Sequence, residues 1–144
     1  MSSTRTRLAS KATATLLAAA LSGVAAPAFA QDDFGGRWSS TTFGAMRLHQ
    51  EDDGGVRGEY DFHGGRLRGH VDDRTLSGVW TQDSAGEPCE EEKMGTHYWG
   101  HFEFRINRDG DAFHGWWSYC DSDTHQGDWD GRRRGPAADQ PARG

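Results

Sequence analysis

The stretch Gly58-Glu59-Tyr60-Asp61-Phe62-His63-Gly64-Gly65-Arg66-Leu67-Arg68-Gly69-His70-Val71-Asp72-Asp73-Arg74-Thr75-Leu76-Ser77-Gly78-Val79-Trp80 decides the fold of this 144-residue chain. It carries one small unit three times: glycine, any residue, then a large apolar residue. The copies are Gly58-Glu59-Tyr60, Gly69-His70-Val71 and Gly78-Val79-Trp80, separated by turn-forming residues. Val56, Gly58, Tyr60 and Phe62 fall on one face, and Arg57, Glu59 and Asp61 on the other. Alternation with period two is the pattern of a strand with one buried face.

The unit recurs outward in both directions. Gly36-Arg37-Trp38 and Gly44-Ala45-Met46 precede the stretch; Gly100-His101-Phe102, Gly115-Trp116-Trp117 and Gly127-Asp128-Trp129 follow it, which makes eight copies. Their spacing is irregular, which excludes a solenoid of fixed repeat. Tyr98, Gly100, Phe102, Phe104 and Ile106 share a face, as do Phe113, Gly115, Trp117 and Tyr119. No helical periodicity competes after residue 31. The reading is all-β: eight antiparallel strands with one apolar face, closed as an up-and-down meander barrel that leaves no exposed edge.

The glycine has a physical task in such a wall. An inward glycine leaves a gap that a large side chain on the neighbouring strand covers, and it lets the strand coil tightly. Pairing each glycine with its neighbour's large residue centres the turns near 41, 52, 64–65, 74–75, 90, 108–109 and 122. Gly64-Gly65 then reads as a tight two-residue hairpin. Arg57 falls opposite Asp72 and Asp61 opposite Arg68 on the outer face. Closure needs stagger, so some glycines are expected at bulges.

Residues 1–30 read as a secretory signal peptide. Arg5, Arg7 and Lys11 open it, Leu16 to Ala26 is an apolar run, and Ala28-Phe29-Ala30 presents small residues for cleavage after Ala30. The run is too short to remain as a membrane anchor, and no cysteine stands at the cleavage point to carry a lipid. The barrel domain is expected over 31–134, with a disordered tail over 135–144 that has prolines and alanines but no aromatics. Localisation is secreted or periplasmic. Beyond residue 30 the chain has thirteen basic against twenty-two acidic side chains, a net charge of −9. That balance disfavours nucleic acid and anionic membranes as partners. Arg132-Arg133-Arg134, the only basic run, reads as a solvated strand end. Cys89 and Cys120 are expected to form a disulfide in an exported chain. Alternate connections share one end of a meander, and both cysteines fall at the end with the turns near 41, 64, 90 and 122.

That same end gathers Glu90, Glu91, Glu92, Lys93, His97, Asp121, Asp123 and His125. Asp121-x-Asp123-x-His125 is not a complete metal signature, so no metal or cofactor is assigned. His70, His101 and His114 alternate outward. No serine nucleophile, dinucleotide loop or phosphate loop is present, and spacing singles out no carboxylate pair for glycoside hydrolysis. No catalytic residue is assigned, and the reading leans away from an enzyme. Trp38, Tyr60, Trp80, Tyr98, Trp117, Tyr119 and Trp129 are expected to point inward. Two readings of them stand: a filled core, or an apolar pocket near one mouth with tyrosine hydroxyls orienting a small ligand. Trp99 and Trp116 are expected to face outward on neighbouring strands. There they make a surface patch for a sugar or a protein, or lie beneath the loop 83–97.

Gly36-Arg37-Trp38, Gly44-Ala45-Met46 and Gly58-Glu59-Tyr60 resemble the opening strands of avidins and, more distantly, lipocalins. The likeness covers residues 34–62, and the remainder as strand rhythm. It implies an eight-stranded meander barrel with a ligand site at one end, and places Tyr60 like the tyrosine that donates to the biotin ureido oxygen. Ala45 stands where that family has a biotin-binding serine, and Phe62 where it has a polar residue. The chain is also similar in architecture, size and single disulfide to bacterial periplasmic metalloprotease inhibitors, although only Gln31-Asp32-Asp33 precedes Phe34 as an N-terminal arm.

The functional expectation is a secreted, non-enzymatic binding module for a small apolar or aromatic ligand at the cysteine-bearing mouth. The alternative is a structural or protein-interaction barrel with a filled core, of inhibitor or envelope-associated type. An enzyme or metal-binding protein ranks below both.

Overall fold

The computed structural model describes residues 33–135. The expected signal peptide and the tail after residue 135 lie outside the described residues; Gly135 itself belongs to the last strand. Alternating sequence produces a meander of β1 (Gly36–Ser40), β2 (Gly44–Gln50), β3 (Gly55–Tyr60), β4 (Gly65–Asp72), β5 (Thr75–Thr81), β6 (Trp99–Ile106) and β7 (Ala112–Trp117), each antiparallel to the next. β8 (Gly127–Asp128) and β9 (Gly131–Gly135) are two pieces of one further strand. Both pair with β7 in a single register, and the Trp129 N–H donates to the Gly115 carbonyl across the gap between them. β9 then pairs with β1 and closes an eight-stranded antiparallel barrel. Among the described residues, no helix is long and apolar enough to cross a membrane.

Two turns centre where the glycine rule puts them, as Gly78↔Phe102 and Trp117↔Gly127 show. Elsewhere each residue's partner shifts by two positions, and across β3 and β4 by four. An even shift leaves every strand side chain on its own face, so the core survives the correction. The expected outer pairs do not: Arg57 faces Arg68, while Glu59 faces both Arg66 and Arg47. The cause lies in the β3–β4 turn. Gly64-Gly65 is not the centre of a tight hairpin. Phe62–Gly64 forms a single 3₁₀ turn with His63 at φ 50°, and Tyr60 pairs directly with Gly65. Phe62 thereby leaves the inner face and is exposed at the rim.

Large inner side chains do cover glycines, as Leu48↔Gly58, Trp80↔Gly100 and Phe104↔Gly115 show. At Gly69↔Gly78 two glycines meet instead. A Cβ on Gly78 would lie 1.9 Å from the Arg68 carbonyl oxygen, so that approach of the strands excludes any side chain. A bulge occurs where β9 meets β1, but its extra residue is an arginine and the glycines only flank it. Arg134 is the extra residue between Trp38↔Arg133 and Arg37↔Gly135, and the flanking Gly36 and Gly135 hold φ of 127° and 145°.

The lower interior is solid. Trp38 packs edge-on to Phe113, Phe113 stacks on Phe104, and Phe104 meets Trp129 with ring centroids 5.0 Å apart. Arg133 closes that end. It is not the solvated strand end read from the sequence. Its guanidinium lies 4.3 Å over the Trp38 ring and donates to the carbonyls of Asp33, Gly35 and Gly110. Burial lowers its pKa, and Asp33 and Asp111 oppose that shift. The plug pins the chain entering β1 to the strand that closes the barrel.

Candidate functional site

The connections β1–β2, β3–β4 and β5–β6 and the segment after β7 meet at the other end, and there the filling stops. A cavity of about 470 Å³ opens among them, within the size range of small-molecule pockets. Its walls are the rings of Phe43, Phe62, Trp80, Trp117, Tyr119 and Trp129, with Thr42, His63, Gln82, Ser84, Ala85 and Gly86 completing the lining. The rings touch in sequence. Phe43 meets Phe62, Trp117 and Trp129 at centroid distances of 5.6, 5.8 and 4.4 Å. Trp117 meets Trp80 and Tyr119 at 6.0 and 4.9 Å. Strand alternation supplies Trp80 and Trp117; turn residues supply Phe43 and Phe62.

Gln82 gives this apolar box its most strongly held polar group. Its backbone is fixed on both sides: its N–H donates to the Tyr98 carbonyl and its carbonyl accepts from the Thr96 hydroxyl. Its Nε2 donates to the Tyr60 hydroxyl at 2.9 Å, and that hydroxyl donates to the Thr81 carbonyl. A phenol has one hydrogen to give. With that hydrogen on Thr81, Tyr60 acts as the acceptor for Gln82, so the amide nitrogen faces Tyr60. Gln82 Oε1 makes no hydrogen bond among the described residues and is not sealed from solvent. Burial pushes the Tyr60 phenol well above the usual tyrosine range, against a smaller opposing effect of the Gln82 hydrogen bond.

The indoles differ in their bonding. Trp80 Nε1 donates to the Ser118 carbonyl at 3.0 Å and Trp38 Nε1 to the Phe34 carbonyl at 2.8 Å. Trp129 Nε1 is buried with no partner among the described residues, a donor left unsatisfied inside the wall.

The outer flank of the mouth is the long connection between β5 and β6. Cys89 and Cys120 form a disulfide, with Cα atoms 5.6 Å apart, that ties this connection to the segment after β7. Lys93 and Thr96 exchange backbone hydrogen bonds, Cys89 bonds to the His97 carbonyl, and Asp83 to that of His63. These ties hold Ser84, Ala85 and Gly86 against the cavity without regular structure.

Trp80, Trp117, Tyr119 and Trp129 thus come together at the cavity. Tyr60 lies beneath it, buried, and reaches it through Gln82. Trp38 sits in the plugged half. Tyr98 is half-buried just before β6 and is not part of the lining. Of the two readings of the outward pair, the surface patch does not hold, and Trp99 follows the other, beneath the loop 83–97. Trp99 is fully buried beneath the long connection: its Nε1 donates to the Glu91 carbonyl and the Lys93 ammonium lies 4.5 Å over its ring. Trp116 is half-buried and stacked on His125 at 3.8 Å. The two do not form one exposed patch. Among the described residues, no group of three or more His, Cys, Asp or Glu side chains is placed to hold a metal. Asp121 turns to His101 and His114 to Asp130, all partly exposed.

Thr42, Phe43, His63, Gln82 and Ser84 to Gly86 are lining residues that strand alternation does not reveal, and Phe62, which alternation sets inward on a strand, reaches the lining from the 3₁₀ turn instead. Phe43 and Phe62 do leave a trace in the sequence: each is a large aromatic inside an otherwise polar turn, at the end to which parity assigns both cysteines. No known protein family, curated protein or solved structure matches this chain.

Proposed function

We propose that this protein is an exported, non-enzymatic barrel that binds a small, largely apolar ring-bearing molecule in its disulfide-tied mouth. The observation that carries the proposal is the lined cavity itself. Below it the barrel is packed solid and plugged by Arg133, whereas at the mouth about 470 Å³ is left open between aromatic rings. A core that served stability alone would gain from filling that space, because burial of apolar surface is worth about 25 cal/mol per Å². Gln82, held from behind by Tyr60, supplies the directional contact that orients a ligand. The resemblance to avidins and lipocalins supports the same use of the barrel end, but not biotin itself. Ala45, at the serine position of that likeness, is exposed, and the Tyr60 hydroxyl is occupied by Thr81 and Gln82.

Tryptophan emission gives the test, since Trp80, Trp117 and Trp129 all line the cavity. Titration with a panel of small aromatic and alicyclic compounds should produce saturable shifts, and Trp117→Ala should weaken them. A flat response across the whole panel would refute the proposal and favour the alternative, a protein-contact barrel. The exposed Phe62 at the rim is the feature that recommends that second reading. On that reading Phe62→Ala abolishes partner capture, while tryptophan emission stays flat across the small-molecule panel with or without the substitution.

A further inference from the structure

We infer that the molecule taken by the mouth carries an organic cation, specifically a fully substituted ammonium group on a small apolar body; this rests on the ligand-binding reading above. Three independent features of the site agree in sign. The first is the wall. Trp80, Trp117, Trp129 and Tyr119 bring aromatic rings to one space, and the faces of such rings carry the negative part of their quadrupole and attract cations. The second is the held carboxamide. Because Tyr60 fixes the nitrogen of Gln82 toward itself, the atom of that side chain left without a protein partner is the carbonyl oxygen, the negative end of the dipole.

The third is the distribution of full charges. The lining contains no lysine or arginine. Asp61 and Asp83 flank the lining pair Phe62 and His63. The Asp83 carboxylate lies so close to Gly64 that a Cβ there would fall 2.2 Å from its Oδ2, and Asp61 Oδ2 accepts from the Ala45 N–H at the same rim. Lys93, the cation of the long connection, sits over the outer ring Trp99. An anion entering the mouth would meet the rim carboxylates with no lysine or arginine in the lining to receive it; His63 is the one imidazole there. A cation would meet the aromatic rings, the Gln82 oxygen and the rim carboxylates of Asp61 and Asp83, and the net charge of −9 beyond residue 30 favours its approach.

The substitution pattern on nitrogen follows from the polar inventory. A primary ammonium brings three N–H donors and loses free energy when they are desolvated without acceptors. The lining offers Gln82 Oε1 as its side-chain carbonyl, with the hydroxyls of Thr42, Ser84 and Tyr119 and the His63 ring as further acceptors among six aromatic rings. A quaternary nitrogen has no N–H to satisfy, and its methyl groups pack directly on the rings.

The test compares benzyltrimethylammonium with its uncharged carbon isostere, 2,2-dimethylpropylbenzene, and with benzylammonium, by tryptophan fluorescence and calorimetry on the full-length secreted protein at low salt. The quaternary cation should bind at least about tenfold tighter than either, on the order expected of desolvated cation–π contacts. Asp83→Asn should weaken the cation severalfold and flatten its salt dependence while leaving the isostere unchanged. Gln82→Leu should narrow the gap between the two. If the isostere binds as tightly as the cation in the unmodified protein, the charge assignment is overturned and the apolar-ligand reading stands. If none of the three perturbs emission or yields heat, both fall. Because the decisive comparison uses the unmodified protein, a variant that fails to fold does not leave the inference untested.

Discussion

Tyr60→Phe tests the link between the core and the mouth. The substitution keeps the ring that packs on Trp129 at a centroid distance of 5.0 Å and on Phe43 at 6.0 Å. It removes the acceptor for Gln82 Nε2 at 2.9 Å and the 3.4 Å bond to the Thr81 carbonyl. The second is long and weak, and the Gln82 amide borders the cavity, so water takes over part of the first. One neutral hydrogen bond is then at stake, about 1 kcal/mol net, or a fall of roughly 4–8 °C in Tm for a domain of this size. The alkaline limb gives a second, more specific readout. Burial raises the Tyr60 pKa in the folded protein. Below the unfolded tyrosine value of about 10 both states hold the proton, so the group adds no pH dependence. Above it the unfolded chain ionises while the folded chain does not, and stability falls as pH rises toward the folded value. The loss between pH 10 and 11 is roughly 1 kcal/mol, and the Phe variant lacks this contribution. Urea titrations of both proteins at pH 8, 9.5 and 11 isolate it, because lysine and arginine ionisation is common to the two. The native protein should be the more stable at pH 8 and the difference should shrink by pH 11. Parallel curves, or equal stability at pH 8, would refute the assignment of Tyr60 as a buried, doubly bonded positioning residue for Gln82.

Gly78→Ala should destabilise by about 3 kcal/mol, because its Cβ meets the Arg68 backbone at 1.9 Å and the strands must part; Gly86→Ala, whose nearest neighbour is the Tyr119 hydroxyl at 3.4 Å, should change Tm little. Equal Tm losses in the two would show that the Gly69–Gly78 approach is not tight. Arg133→Met removes donors to three backbone carbonyls and the cation over Trp38, and should cost about 3 kcal/mol in urea unfolding, with faster amide exchange at Gly35 and Arg37. An unchanged midpoint would mean that the plug is dispensable. Reducing the Cys89–Cys120 disulfide, which closes a separation of 31 residues, should lower stability by about 3–4 kcal/mol on chain-entropy grounds. Exchange should rise first across 83–97, and uniform exchange would contradict local tying.

Much of the wall is legible in the sequence because a strand's side chains alternate by geometry alone. Whether Trp80 faces Gly100 depends on register, but that both face inward does not. This is why the pairings across β3 and β4 could shift by four positions without moving Leu67 or Val56 out of the core. The parity of the connections likewise put Cys89 and Cys120 at one end, where they bond. Trp99 shows where such reasoning stops: alternation sets it outward, and only the long connection, folded back over it by the Glu91 carbonyl and Lys93, makes it buried. Arg133 fails in the opposite direction. It stands in a run of three arginines that reads as solvated, yet it shares the inner face of Trp129 and Gly131 and pairs with Trp38, where three carbonyls and the Trp38 ring hold it.

The sequence by itself determined a closed all-β meander, its inner face and the end at which the disulfide sits, because these follow from a two-residue period and from counting connections. The tertiary structure alone decided that the barrel is solid below and open above. It turned Phe43 and Phe62 to the cavity, made Tyr60 a support rather than a wall, and left the Gln82 side-chain carbonyl without a protein partner among the described residues. Those outcomes depend on a 3₁₀ turn with His63 in the left-handed region, and on hydrogen bonds between residues about twenty positions apart. Neither leaves a periodic trace, because both arise from contacts that exist only once the wall has closed.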